Sequence, residues 1–225
     1  MARKLFLLVC EGETDLYIFQ ALSEYFSTDE AQLTIKSLSP QLDATSGTYP
    51  KHGFGEVLNW CSANKQKLQV LIDFQGARAL FVQMDTDIAK QANPGCIEQG
   101  RSARECCQAR LNQGFNALEE PPRCHYILPT QSTETWILAS HIEPESDENG
   151  VEISDYEAIK DPEQRLIRLG YPSKKGKNKS SRKMNKQPAS KYREYGKRLT
   201  ENLPLARQRS RELERLCGLL AANST

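Results

Sequence analysis

Two short apolar runs in this chain each stop at acid, and no other feature restricts the fold as much. Leu5-Phe6-Leu7-Leu8-Val9-Cys10 leads into Glu11-Gly12-Glu13-Thr14-Asp15, and Leu80-Phe81-Val82-Gln83-Met84 leads into Asp85-Thr86-Asp87. Runs of this length and composition read as strands buried on both faces of a parallel sheet. Open α/β sheets bind ligands beyond the carboxyl ends of their strands, so these carboxylates are expected to share one crevice. Crowded carboxylates repel one another unless a cation or protons neutralise them. An all-oxygen donor set favours Mg²⁺ or Mn²⁺ and suits phosphate chemistry.

The rest of residues 1–140 supports that fold class. A helix is expected over about 15–27, with Thr14 as its cap, and a strand over 33–38. Helical spacing returns near 57–61 and 68–75, ahead of the strand at 80–84. Residues 88–100 read as a loop, 101–119 as a helix, 124–128 as a strand and 133–140 as a helix. Strand and helix alternate throughout, which predicts an α/β domain with a parallel sheet flanked by helices over 1–142. Residues 143–225 are expected to form an acidic loop, a basic linker and C-terminal helices near 155–170, 189–201 and 205–221.

The net charge of +1 conceals an asymmetry. Residues 1–170 carry 15 Lys and Arg against 25 Asp and Glu, whereas residues 171–225 carry 15 against 4. An acidic body beside a basic tail points to a metal or catalytic region next to a surface for polyanions, or to two halves that neutralise each other. Residues 172–188 hold seven Lys or Arg and no acid, and they are expected to lack order. No apolar run reaches the roughly 20 residues of a membrane span. That suggests no membrane partner and a cytoplasmic protein. The seven cysteines form no Cys-x-x-Cys pair and read as reduced thiols.

The strand–Glu11-Gly12–helix arrangement, followed by strand–Asp85-x-Asp87, resembles the Toprim domain of topoisomerases, bacterial-type primases and related nucleases. Thr133-Glu134-Thr135-Trp136-Ile137-Leu138-Ala139 adds a segment similar to one in small stand-alone Toprim-like proteins of anti-phage loci, the RloB-like group. The resemblance implies Asp85, Asp87 and Glu134 as ligands of one or two Mg²⁺ (or Mn²⁺) ions. It implies Glu11 as a further ligand or a proton shuttle, with Gly12 and Asp15 close by. It also implies a metal-dependent nuclease in antiviral defence, beside an ATPase partner. One departure is Ile88-Ala89 after the Asp-x-Asp, where topoisomerases often carry a longer glycine-containing motif.

The basic segment supplies the nucleic-acid contacts this reading needs. Lys174, Lys175, Lys177, Lys179, Arg182, Lys183 and Lys186 could neutralise backbone phosphates, giving affinity without sequence specificity. Lys191, Tyr192 and Arg193 follow, and tyrosines beside cations can stack the bases of a single strand. His52 lies in a flexible loop, Lys51-His52-Gly53-Phe54-Gly55, and His125 reads as a packed core residue. A nucleotidyl transferase, an RNA-maturing ribonuclease and a non-catalytic nucleic-acid-binding subunit all remain open, as does an oligomer.

Overall fold

The computed structural model describes residues 2–50, 52–175 and 182–223. β1 (Ala2–Val9) is followed by α1 (Glu13–Tyr25), β2 (Ala31–Ser39), α2 (Phe54–Asn64), α3 (Leu68–Phe74) and β3 (Ala77–Gln83). After a single 3-10 turn at Thr86–Ile88 come α4 (Ala89–Ala92), α5 (Pro94–Glu98), α6 (Ala103–Phe115), β4 (Cys124–Ile127) and α7 (Glu134–Ala139). The remainder holds α8 (Pro162–Arg168), the short strands β5 (Ser173–Lys175) and β6 (Arg182–Met184), and helices α9 (Lys191–Glu201), α10 (Leu203–Arg209) and α11 (Arg211–Ala221).

β1 to β4 form one parallel sheet in the order β2-β1-β3-β4. The protein is therefore an α/β fold with helices on both faces, as the alternation of elements predicts. β1 and β3 occupy the centre, and alternate residues along them enter opposite cores. Phe6, Leu8 and Phe81 join one core with α1, α7 and the C-terminal helices. Leu7, Val9, Leu80 and Val82 join the other with α2, α3 and α6. Both strands thus bury apolar residues on two sides, and toward their carboxyl ends polar groups are confined to Gln83 at the end of β3 and to the residues just past the strand ends.

Several local expectations change. Residues 88–100 coil into α4 and α5, because Pro94 supplies a ready first helical position. The helix after them starts at a capping box, Ser102 with Glu105, and ends at Asn116 in the left-handed region at φ 53°. The stretch 155–170 divides into a 3-10 turn at Tyr156–Ala158 and α8. The last helix breaks at Ser210, whose side chain accepts the Leu213 N–H and caps α11. Gly12 rather than Thr14 precedes α1, with extended backbone. Cys96 and Cys106 form a disulfide between α5 and α6, whereas Cys10, Cys61, Cys107, Cys124 and Cys217 are free and buried. The reduced-thiol expectation therefore fails for the one pair that two packed helices bring together.

The C-terminal third is built into the main core. Tyr156, Leu166, Met184, Tyr192, Leu199, Leu213 and Leu216 pack with Phe19 and Trp136. At Gly196 on α9, a Cβ atom would come within 2.7 Å of Ala21 Cβ on α1, so this close crossing depends on glycine. Within the basic stretch, Ser173–Lys175 and Arg182–Met184 form strands where composition suggests none, since β5 and β6 pair antiparallel. Lys177 and Lys179 lie outside the described residues. No helix among the described residues is long and apolar enough to cross a membrane.

Candidate functional site

Glu11 sits two residues past the end of β1, and Asp85 two residues past β3. A polar bridge joins the two exits. Gln83, buried at the last position of β3, accepts the Glu11 N–H at 3.1 Å and donates to Asp85 Oδ1 at 2.7 Å. Glu11 Oε1 in turn accepts the Asp85 N–H at 2.8 Å. Each carboxylate is thus fixed by the neighbouring strand's backbone or by Gln83, a polar residue in an otherwise apolar run. That misfit was the available sequence signal for it.

Asp15, in the first turn of α1, accepts from Thr133 Oγ1 at 2.7 Å. Glu134 opens α7 with no measurable exposure, and its Oε1 accepts from Tyr192 on α9 at 2.6 Å. Lys186 completes the group, with its Nζ 2.7 Å from Glu134 Oε1 and 3.2 Å from Glu163 Oε1. The second oxygen of Glu134, Oε2, is buried without a hydrogen-bond partner among the described residues.

The electrostatics follow from this crowding. Burial pushes the Glu11 carboxyl up to about 8, with Asp15 and Asp87 adding to the shift against the Asp85 N–H bond. Burial likewise raises Asp15 to about 6, against the opposing pull of Lys186. Asp85 is held well above the ordinary carboxylate range by burial and by Asp15, Glu11 and Glu134. Asp87 is raised by burial and by Glu134 and Glu163, although Lys186 opposes it. Glu134 behaves differently: burial works against its charge, but Lys186 and Tyr192 hold its carboxyl below the usual value. Lys186 keeps its proton for the same reason, despite burial. The resting cluster is a surplus of carboxylates around one ammonium group.

Among the described residues, no three His, Cys, Asp or Glu side chains stand in an arrangement that would hold a metal ion. The donor chemistry nonetheless fits a hard divalent cation. Every candidate ligand is a carboxylate oxygen, and Glu134 Oε2 has no hydrogen-bond partner among the described residues, although the Lys186 ammonium on Oε1 would compete with a cation for that carboxylate. Gly12 carries no steric obligation, since a Cβ there would make only ordinary contacts with Thr14 and Asp15.

The sites named from sequence separate into groups. Glu11, Gly12, Asp15, Asp85 and Lys186 line one crevice of about 340 Å³, together with Tyr49 and His52 from the loop ahead of α2. Asp87 faces a second groove of about 310 Å³, with Lys160, Glu163, Arg182 and Lys183. Lys174 and Lys175 are exposed on β5. Lys191 is half-buried, and Arg193 is exposed with its guanidinium 4.5 Å over the Tyr17 ring. Two expectations are corrected. Tyr192 is fully buried and bonded to Glu134, so it has no face for a base, and Lys186 is spent on carboxylates rather than free for phosphate.

Glu163, Gln83 and Thr133 were missed as site residues, whereas the His52 loop, readable from sequence either as lying over the site or as an ordinary surface loop, lines the crevice. Glu163 and Thr133 carried no signal, because their partners are distant in sequence. His125 lies beside Phe81, ring centroids 6.1 Å apart, as a packing residue. No protein-family model, curated protein or solved structure matches the chain.

Proposed function

We propose that the protein is a divalent-metal-dependent nuclease that hydrolyses phosphodiester bonds. The observation that carries this reading is the convergence of Glu11, Asp15, Asp85 and Glu134 around Lys186 at the carboxyl end of the sheet. The resemblance to Toprim domains supports the same residues. Asp85, Asp87 and Glu134 would hold Mg²⁺ or Mn²⁺, with Glu11 beside them. When bound, the ion would lower the pKa of a coordinated water and offset charge on the phosphate.

The chain's own groups have distinct tasks in this scheme. Glu11 Oε1 is engaged by the Asp85 N–H, so Oε2 is the atom that carries or passes a proton. Its raised pKa of about 8 keeps a proton there at neutral pH until the local charge is neutralised. Gln83 holds the two strand exits in register, and Thr133 fixes Asp15. Lys174, Lys175, Arg182 and Lys183 offer exposed cations to a polyanionic strand. Phage defence beside an ATPase partner belongs to the same proposal through the resemblance.

The test is cleavage of labelled DNA and RNA in Mg²⁺ or Mn²⁺, with EDTA as control. Glu11→Gln should lower the rate by roughly 10²–10⁴-fold, and Asp85→Asn should abolish metal-dependent cleavage. One observation favours a second reading, a non-catalytic binding subunit: Lys186 already neutralises Glu134, and no ready-made metal arrangement exists among the described residues. Nucleic-acid binding that is unchanged by metal, with no cleavage by the unaltered chain, would select it.

A further inference from the structure

The crevice beside Glu11 has an unlike lining. Glu11, Asp15 and Asp85 with Lys186 line it from the strand exits, and Tyr49, Pro50 and His52 line it from the loop ahead of α2. That loop is fastened to the sheet. His52 Nε2 and Ser39 Oγ lie 2.7 Å apart, at the end of β2. Ser39 O accepts the Cys10 N–H at 2.9 Å, one residue before Glu11. His52, three residues after Tyr49, is therefore tied to the end of β2, which is itself hydrogen-bonded to β1 just before Glu11.

Tyr49 packs against the core beneath it while keeping part of its ring exposed. Its surroundings are charged in a particular way. Tyr17 donates to Glu13 Oε1 at 2.5 Å, and Arg193 lies across the Tyr17 ring. Glu13 lines the same crevice as Tyr49, so the Tyr17–Glu13 bond sets the Arg193 guanidinium beside that crevice. A flat, partly exposed ring and an exposed guanidinium thus border one acidic crevice.

A nucleobase matches such a ring, because every base has a face that stacks on an aromatic side chain whatever its sequence. The adjoining backbone phosphate matches Arg193, which Tyr17 steadies from below. The crevice is small: about 340 Å³ is near the lower end of ligand sites and suits a single nucleotide. A duplex keeps its bases in the stack and would have to extrude one to use this ring.

We infer that the crevice is a subsite for one unstacked nucleotide of a single-stranded polynucleotide, with its base on Tyr49 and its neighbouring phosphate at Arg193. This rests on the nuclease reading for its substrate class and adds the form of that substrate. It also reassigns the stacking role. Tyr192, the tyrosine that sequence suggests, is buried, whereas Tyr49 is in place for it.

The experiment is binding by fluorescence anisotropy in EDTA, so that cleavage plays no part. The probes are labelled single strands of about 12 nucleotides, as DNA and as RNA, the matching duplexes, and an abasic sugar-phosphate strand of equal length. Unaltered protein should bind both single strands about tenfold more tightly than their duplexes. Tyr49→Ala should weaken single-strand binding about tenfold and leave abasic binding unchanged, while Tyr49→Phe keeps full affinity. Arg193→Ala should weaken binding to all strands, abasic included.

Equal affinity for single strand and duplex would overturn the inference, as would a Tyr49→Ala loss that is the same on the abasic strand. The two readings fail separately. Single-strand preference without cleavage in Mg²⁺ or Mn²⁺ sinks the nuclease and keeps the subsite. Cleavage without that preference does the reverse.

Discussion

Leu7 and Val9 enter one core and Phe6 and Leu8 the other, yet the two faces of the sheet are built on different terms. The face covered by α2, α3 and α6 is dry, made of aliphatic side chains, the stacked rings of Phe115 and Tyr126, and thiols such as Cys61 and Cys107. Burial pushes both of those thiols up to about 12, so they act as small apolar groups. The face covered by α1, α7 and α9 admits charge: Asp15 and Glu134 are buried at its upper edge, beside Tyr192 and Lys186. A buried charge persists only where it is paired or hydrogen-bonded. The C-terminal third of the chain supplies those partners, which is why it packs here rather than standing apart.

Neighbouring residues on β3 give the sharpest test of that division. Phe81→Ala opens the charged face, where Phe81 stacks on Phe6 at 5.2 Å and lies 6.1 Å from Phe19. It should cost about 3–5 kcal/mol, and Leu80→Ala on the dry face about 2–5 kcal/mol, both read by urea denaturation. Only Phe81→Ala should disturb Trp136, which lies 6.2 Å from Phe19, and with it the start of α7. Measuring the emission of Trp136 in a Trp60→Phe background, together with the metal response, decides the matter. If Leu80→Ala alters the metal response as strongly as Phe81→Ala, the two faces are not separable.

Lys186 offers a second way to break the comparison. Lys186→Met leaves Glu134 charged, buried and short of its main partner. Allowing for the part of Lys186 that solvent reaches, the loss should be roughly 2–4 kcal/mol. Glu134→Gln in the same chain should recover most of it, because the orphaned charge is then gone. Equal losses in the single and double variants would show that packing around the lysine stem, rather than charge, carries the effect. Thermal and urea denaturation of the four proteins in the cycle give the answer.

How much of this was legible follows from which partners were local. The strand exits at Glu11, Asp85 and Asp87 are written in contiguous residues, and the parallel sheet follows from the alternation of elements. Glu134 was accessible only through the resemblance. Lys186 was readable as basic but not as inward-facing, since its carboxylates come from α7 and α8. Tyr192 was assigned to the wrong environment even though a signal existed. Tyr192, Tyr195, Gly196 and Leu199 fall at helical spacing, and that stripe is the buried face of α9 against α1. Charge density in the neighbouring residues outweighed it. Two close-packed helices, not composition, decide which tyrosines meet solvent.

The effect most specific to the charged face is the pH dependence of stability without metal. Glu11 rises from 4.5 to about 8 on folding, and Asp15 from 3.8 to about 6. Between those values the folded chain holds protons that the unfolded chain has released. This contribution is therefore complete below about pH 4 and is lost as pH climbs through 6 and 8. In EDTA, Tm should fall between pH 6 and pH 8, by about 2–4 °C for each kcal/mol of linkage. Glu11→Gln should flatten the decline, because its amide releases no proton. Mg²⁺ should flatten it too, relative to NaCl of equal ionic strength, because a cation that binds the ionised carboxylates favours the folded state at high pH. A decline that Glu11→Gln removes but Mg²⁺ leaves untouched would mean the cluster titrates as described while Lys186 is its only counter-ion, and the binding-subunit reading would then take precedence over the nuclease.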